Sequence, residues 1–350
     1  MTPDALTWPR LLATLLARED LTADQARWAM REVMDDAHDP AELAAFLVAL
    51  RFKGETAAEI GGLLDALMER AVRLPVDGSQ VTDIVGTGGD GAHTINISTT
   101  AAIAAAAAGI TIVKHGGKAV SSKSGSADVL EALGIPLDLT PGQVARCVTE
   151  IGIGFTFAPV FHGGLRHAAP VRRRLGVPTV INFLAPLTNP ARPGTALVGC
   201  SSLALAPVLA AVLAERGRAG LIVRGHDGLD EITTTTATDI WTASESGVRH
   251  LTIDTARFGL CRAQPGDLRG GDAAYNAKAV RTVLGGDPGP ALDAVLANAA
   301  GAFAARAAGI ADVEETFADG LGQARTAIGS GAAAALLDRW IGLTHELATH

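Results

Sequence analysis

The chain has 350 residues, 48 % hydrophobic and 19 % charged, with a formal net charge of −8 at pH 7. That composition supports a sizeable core in two domains or one large one, excludes a disordered chain, and, with no basic block, argues against a nucleic-acid partner. The three cysteines, Cys147, Cys200 and Cys261, are odd in number and far apart, so they form neither a disulfide framework nor a metal knuckle and fit a reducing cytoplasm.

In chain order, the first 75 residues read as helices. The apolar run at 11–17 is too short for a secretory signal, and Arg18, Glu19 and Asp20 follow it in place of a small-residue cleavage site. Residues 6–16 carry apolar positions at helical spacing. Thr22 and Gln25 form the capping-box pattern that opens a second helix, and Asp39 before Pro40 opens a third. A fourth helix is expected over 56–72, and 74–78 is a linker.

The texture then changes. A short apolar run, 81–85, ends in glycines; a helix is expected at about 100–108, stopped by Gly109. A β-rich run at 110–113 precedes a helix at 127–133, stopped by Gly134. The alanine-rich stretch 101–113 raises the mean hydropathy to +0.26. Gly109 and Thr111 interrupt it and Lys114 closes it, short of the ~20 apolar residues a membrane-spanning helix needs. The runs 178–182, 195–200, 203–215 and 220–224 continue an alternation of short strands and helices, which indicates an α/β sheet. Residues 239–241 and 251–254 resemble antiparallel strands, and 272–284, 290–308, 313–328 and 332–347 read as helices. The threonine run 233–236 is unusual but short.

Five segments carry chemistry. The first, 83–91, contains Gly86-x-Gly88-x-x-Gly91, the letters of a dinucleotide loop. A nicotinamide site would also need an acid about 20 residues onward and a helix opening at the glycines, and neither is present. A strand-end turn whose backbone approaches a phosphate fits better. The second segment, Asn96 with Ser98, Thr99 and Thr100, precedes the alanine-rich helix and can cap it or hold an anion. The third, 113–128, is dense in Lys, Ser and Gly and follows a strand, although it is not a Walker A loop. In the fourth, Asp230 and Glu231 follow a strand and a glycine turn and suit Mg²⁺ with substrate phosphates. In the fifth, 157–174, Arg172 and Arg173 fall near the first turn of a helix begun by Pro170. Cations there oppose the helix dipole, so at least one should face an acid, such as a ligand carboxylate.

Taken together, these segments resemble the anthranilate phosphoribosyltransferase family. The matching residues are Gly86-Thr87-Gly88-Gly89-Asp90, Asn96-Ile97-Ser98-Thr99, Lys114-His115-Gly116, the stretch from Ser121 to Gly134, Ala169-Pro170-Val171-Arg172, Pro186-Leu187-Thr188-Asn189-Pro190-Ala191 and Gly228-Leu229-Asp230-Glu231. The resemblance implies an α/β fold: a small N-terminal helical domain beside a larger α/β domain with a central, mostly parallel sheet flanked by helices. The boundaries would be 1–75, joined by helices from about 165–185, and 76–350. It implies Mg²⁺-dependent transfer of phosphoribosyl from phosphoribosyl pyrophosphate (PRPP) to the amine of anthranilate, a step of tryptophan biosynthesis, by a cytoplasmic homodimer that engages neither membrane nor nucleic acid. By the same resemblance PRPP would meet Gly86, Thr87, Gly88, Gly89, Asp90, Thr94, Asn96, Ser98, Thr99, Lys114 and Ser126. Anthranilate would meet Gly86, His115, Gly117, His162 and Arg172, and the metal Ser98, Asp230 and Glu231. No covalent nucleophile is implied; positioning and charge neutralisation carry the reaction.

The departures cluster. Gly117 and Lys118 stand where the family has Asn and Arg, Gly163 and Gly164 where it has Pro and Ala, and Ala185 where it has Gly. Two of these three changes fall on acceptor segments, whereas the PRPP and metal motifs match, so a looser or altered acceptor site is expected. The alternatives are the same PRPP chemistry on another aromatic acceptor, or a pyrimidine nucleoside phosphorylase-like enzyme.

Overall fold

The computed structural model describes residues 5–119 and 123–349. Ser121 and Ser122 of the third segment lie outside the described residues. Four helices open the chain: α1 (Trp8–Leu16), α2 (Ala23–Met34), α3 (Pro40–Lys53) and α4 (Ala57–Arg70). Reciprocal capping boxes start three of them, Thr22 with Gln25, Asp39 with Glu42 and Thr56 with Glu59, each cap contributing about 1 kcal/mol. Leu11, Met30, Leu43, Phe46, Leu63 and Leu67 are buried between these helices. The same apolar cluster takes in Val171, Val180, Ile181 and Leu184 from much later in the chain.

From β1 onward the chain alternates: β1 (Thr82–Gly86), α5 (Ile97–Ala107), β2 (Ile112–Gly116), α6 (Ser126–Leu133), α7 (Pro141–Ile151) and β3 (Ile153–Phe157). Three short helices follow, α8 (Ala158–Phe161), α9 (Ala169–Leu175) and α10 (Val180–Leu184), then β4 (Thr195–Gly199), α11 (Ala206–Glu215) and β5 (Ala219–Gly225). The hairpin β6 (Thr238–Ser244) and β7 (Gly247–Ile253) precedes α12 (Ala273–Leu284), α13 (Pro290–Arg306), α14 (Val313–Gly329) and α15 (Ala332–Ala348). The seven strands form one sheet in the order β3-β2-β1-β4-β5-β6-β7. The first five are parallel, and β6 and β7 are antiparallel. The strand order reverses between β1 and β4, and the crevice beyond their carboxyl ends is where open α/β sheets bind ligands.

The alanines that raise the hydropathy have a packing role. Ala101–Ala105 of α5 and most of α13 are wholly buried in one cluster on the sheet, small enough to let the helices approach closely. Among the described residues no helix is long and apolar enough to cross a membrane.

The structure adjusts three local expectations. Helix α5 begins at Ile97, not near 100, so Ser98 and Thr99 lie inside its first turn, and the capping position belongs to Asn96. Within the β-branched run 178–182, Val180–Asn182 enter helix α10 and Thr179 is its extended N-cap, in a capping box with Asn182 that overrides β-propensity. The pair α7 and β3 fills 141–157, where the periodicity assigns no element.

Candidate active site

Adjacent glycines end β1 and β4: Gly86 pairs in register with Gly199. Both lack a side chain for the same reason. A Cβ on Gly199 would lie 1.6 Å from the Asp230 carbonyl oxygen, and one on Gly86 would lie 2.3 Å from Asp230 Oδ2. The segment after β5 therefore crosses directly over the switch point. Asp230 Oδ2 accepts the Gly88 N–H at 2.6 Å. Asp230 titrates well above the usual carboxylate range, through burial first and then the neighbouring charges of Glu231 and Asp90. Burial also raises Glu231, to about 8, against the opposing pull of Lys114.

Lys114, in the middle of β2, is buried and interacts with these acids. Its Nζ donates to the Ile84 carbonyl at 2.5 Å and to Ser98 Oγ at 3.3 Å. Burial lowers its pKa, while Asp83, Glu231 and Asp230 hold the proton on. Lys114, Ser98, Asp90, Asp230 and Glu231 thus form one charged cluster. Its hard oxygens fit Mg²⁺, which takes one or two carboxylates and completes its shell from substrate phosphates.

The glycine loop is partly committed to internal bonds. Gly88, Gly89 and Gly91 have φ of 65°, 80° and 71°, the left-handed region in which glycine carries no penalty. Thr87 Oγ1 lies 3.3 Å from Ser201 Oγ and accepts the Ser201 N–H at 3.1 Å; Ser201 Oγ also donates to Gly88 O at 2.8 Å. Asn96 Oδ1 accepts from Asn276 on α12 at 2.8 Å, and Thr94 bridges to Arg269. Thr99 Oγ1 is buried with no hydrogen-bond partner among the described residues. Ser126 begins α6 with its hydroxyl packed against Gly116, where a Cβ would lie 2.3 Å from it. Ser201 and Asn276 were not legible from motif spacing, since both act across long sequence separations.

Beside this cluster lies a second, neutral one. His115 and His162 meet edge to face at a centroid separation of 5.2 Å. His115 Nδ1 faces the Thr156 carbonyl at 2.9 Å, which places the proton there, and Nε2 faces Thr188 Oγ1 at 3.3 Å. Burial, the neighbouring His162 and the nearby Lys114 charge pull His115 down to about 3, against its Thr156 bond. His162 Nε2 donates to Thr188 O at 2.7 Å, and its buried Nδ1 has no hydrogen-bond partner among the described residues. Asp83 supports the arrangement from within β1. It accepts the His115 N–H at 3.2 Å and the Asn189 amide at 2.8 Å, and burial outweighs Lys114 and these bonds to push it up to about 6. This gives the 186–191 motif a physical role: Thr188 holds the histidines, and Asn189 ties Asp83 to Val113.

Arg172 sits in α9 with its guanidinium partly buried, and burial lowers its pKa. Among the described residues it has no ion-pair partner; Arg172 and Arg173 fall in the last turn of the seven-residue α9, not the first, so the expected conflict with the helix dipole does not arise. The acceptor-side departures are resolved individually. Among the described residues, a Cβ on Gly117 would meet nothing within 4 Å. Lys118 turns outward to Glu131 at 2.9 Å. A Cβ on Gly164 would lie 2.6 Å from Met34 Cε of α2, the movable end of a flexible side chain, so the glycine packs closely against α2.

Known proteins agree with this architecture. Residues 78–334 match a family model described as "Glycosyl transferase family, a/b domain", and residues 9–71 one described as "Glycosyl transferase family, helical bundle domain". The chain is 54 % identical over 344 residues to an anthranilate phosphoribosyltransferase of Salinispora arenicola, covering 97 % of this chain and 98 % of the relative. It is 52 % identical over 346 residues to one of Rhodococcus jostii, covering 99 % and 95 %. Among solved structures, the anthranilate phosphoribosyltransferase of Thermus thermophilus superposes with a TM-score of 0.87 at 38 % identity, covering 96 % of this chain and 99 % of that one. The Saccharomyces cerevisiae protein in complex with PRPP and Mg gives 0.85 at 29 % identity, covering 97 % and 98 %.

Proposed function

The chain belongs to the anthranilate phosphoribosyltransferases of the glycosyl transferase family, and on that premise we propose that it transfers the phosphoribosyl group of PRPP to the amine of anthranilate. The C1–O bond to pyrophosphate breaks, a C1–N bond to the amine forms, and the amine loses a proton. The observation that carries the reading is the cluster of Lys114, Ser98, Asp230 and Glu231 over the Gly86–Gly199 strand pair. It lies beside a neutral histidine pair that adds no charge of its own.

In this reading Gly86, Thr87, Gly88, Gly89, Asp90, Thr94, Asn96, Ser98, Thr99, Lys114 and Ser126 surround PRPP. The left-handed glycines leave room for its phosphates, and Lys114 and Ser98 present donors to them. Ser98, Asp230 and Glu231 hold Mg²⁺, which when bound neutralises charge on the departing pyrophosphate. Gly86, His115, Gly117, His162 and Arg172 line the acceptor site, with Arg172 facing the anthranilate carboxylate. Catalysis is positional and electrostatic, with no covalent nucleophile. The open space at Gly117 favours a wider choice of aromatic acceptor than an asparagine there would allow.

The helical domain is 1–75 joined by the helices of about 165–185, and the α/β domain is the rest of 76–350; the packing of Val171, Val180, Ile181 and Leu184 in one apolar cluster with the N-terminal helices supports this. Exposed Leu16, Val48 and Phe52 on α1 and α3 support a homodimer joined through that domain. Three unpaired cysteines support a cytoplasmic setting, where tryptophan synthesis would use the product. The test is loss of anthranilate fluorescence on mixing with PRPP and Mg²⁺. Phosphorolysis of a pyrimidine nucleoside with no such loss would replace this reading with the phosphorylase one.

A further inference from the structure

Asp230 and Glu231 sit on a segment with no regular structure, between β5 and β6. Something has to hold their backbone, because a carboxylate pair that drifts cannot share one cation. On the β5 side the turn is fixed locally: Asp227 Oδ1 accepts the Leu229 N–H at 3.0 Å, and Asp227 Oδ2 accepts the Thr233 hydroxyl at 2.7 Å and the Thr235 hydroxyl. This gives two of the four threonines of the 233–236 run, Thr233 and Thr235, a role. The residue directly after Glu231 is held from elsewhere in the fold.

Helix α13 is apolar and nearly all buried, yet at its centre stands Asn298, wholly inaccessible to solvent. A buried carboxamide is costly unless its groups are paired. Here Oδ1 accepts the Ile232 N–H at 2.9 Å, and Nδ2 donates to the Ile232 carbonyl at 2.9 Å and to Ala294 O at 2.9 Å. Both backbone groups of Ile232 are thus gripped by one side chain, as a neighbouring strand would grip them. One turn on, Gly301 leaves the gap that the Ile232 side chain fills; a Cβ there would lie 2.4 Å from Ile232 Cδ1 and 3.0 Å from Leu197. The same helix face therefore takes the backbone of residue 232 with Asn298 and its side chain with Gly301. On the other side, Gly199 and Gly86 press against Asp230.

We propose that Asn298, with Gly301 beside it, is a positioning residue for the Asp230–Glu231 pair: its clamp on Ile232 sets where the two carboxylates point and hence how tightly Mg²⁺ is held with PRPP. The proposal rests on the functional reading above. Outer-shell partners of metal ligands change metal affinity by roughly 10–100-fold when removed.

The experiment is calorimetric titration of PRPP at a series of Mg²⁺ concentrations with wild type, Asn298→Ala and Gly301→Ala. Circular dichroism reports folding, and acceptor KM is measured at saturating Mg²⁺. The Mg²⁺ needed for half-maximal PRPP binding rises about tenfold or more in Asn298→Ala. In Gly301→Ala, which favours the helix, it rises by a smaller factor of about threefold. Acceptor KM stays within about twofold in both, a split that general loosening would not give. An unchanged Mg²⁺ requirement in folded Asn298→Ala overturns the proposal, as does acceptor KM rising in step with it. If Asn298→Ala does not fold, Gly301→Ala decides by the same criterion. Wild-type protein that binds no PRPP at any Mg²⁺ concentration refutes the functional reading instead.

Discussion

Replacing Gly199 by alanine puts the switch-point geometry to a severe test. The added Cβ would lie 1.6 Å from the Asp230 carbonyl oxygen and 2.4 Å from its carbonyl carbon. Both are backbone atoms, so no side-chain rotation relieves the overlap. Restoring ordinary contact requires the 230 segment to move by roughly 2 Å. A misplacement of about 1 Å near reacting groups can cost about 100-fold, equivalent to about 2.7 kcal/mol of barrier. Overpacking should reduce stability by about 1–3 kcal/mol, which leaves a chain of this size folded. The assay is the initial rate of anthranilate fluorescence loss at saturating Mg²⁺ and PRPP, with the melting temperature alongside. A fall of at least about 100-fold in kcat/KM with a folded protein is expected. A folded variant within about threefold of wild type would refute the claim that the carboxylate segment is seated on this glycine.

Three other outcomes are expected. Arg172→Ala should raise the anthranilate KM by about 10–100-fold, the worth of one charge-assisted hydrogen bond, while calorimetric PRPP binding stays unchanged. Equal losses for both substrates would place Arg172 elsewhere. Gly117→Ala should leave the melting temperature unchanged, because its Cβ enters open space, and should alter the relative rates of substituted anthranilates; an unchanged acceptor profile would remove Gly117 from the acceptor wall. The third outcome concerns pH. Glu231, at about 8 in the ligand-free fold, lies above its ordinary range near 4.5, so between those values the folded chain binds more protons than the unfolded one. The contribution of Glu231 to stability is therefore present at low pH and lost as pH rises through about 8. Wild-type melting temperature relative to Glu231→Gln should fall across pH 5 to 8.5 without ligand. A rise over that window would contradict the raised pKa.

Much of this was legible in the sequence because the signals are local. Thr22 with Gln25 and Asp39 with Glu42 announce helix starts, and Gly134 announces a stop, whatever packs around them. The alternation from β1 onward and the antiparallel pair at the end follow from composition and spacing. Local signals also competed: Thr179, Val180 and Ile181 favour a strand by propensity, yet the Thr179–Asn182 capping box and burial against the helical bundle made Val180 and Ile181 helical. At the site, the residues that would touch substrate stood out as motifs, whereas those that hold them did not. Ser201 on the Thr87 loop, Asn276 on Asn96, Asp83 under His115 and Asn298 on Ile232 each act across 32 to 180 residues or lie in apolar surroundings where one polar residue carries no pattern. Gly199 is the same case: its need to be glycine comes from a chain segment that crosses it from 31 residues away.

The most direct test of the central claim is a crystal structure of the chain with PRPP and Mg²⁺. The pyrophosphate is expected at the 86–90 loop within reach of Lys114 and Ser98, with the metal on Asp230 and Glu231 and the ribose C1 turned toward His115, Gly117 and Arg172. PRPP bound away from the β1–β4 switch point, or a metal held without either carboxylate, would contradict it.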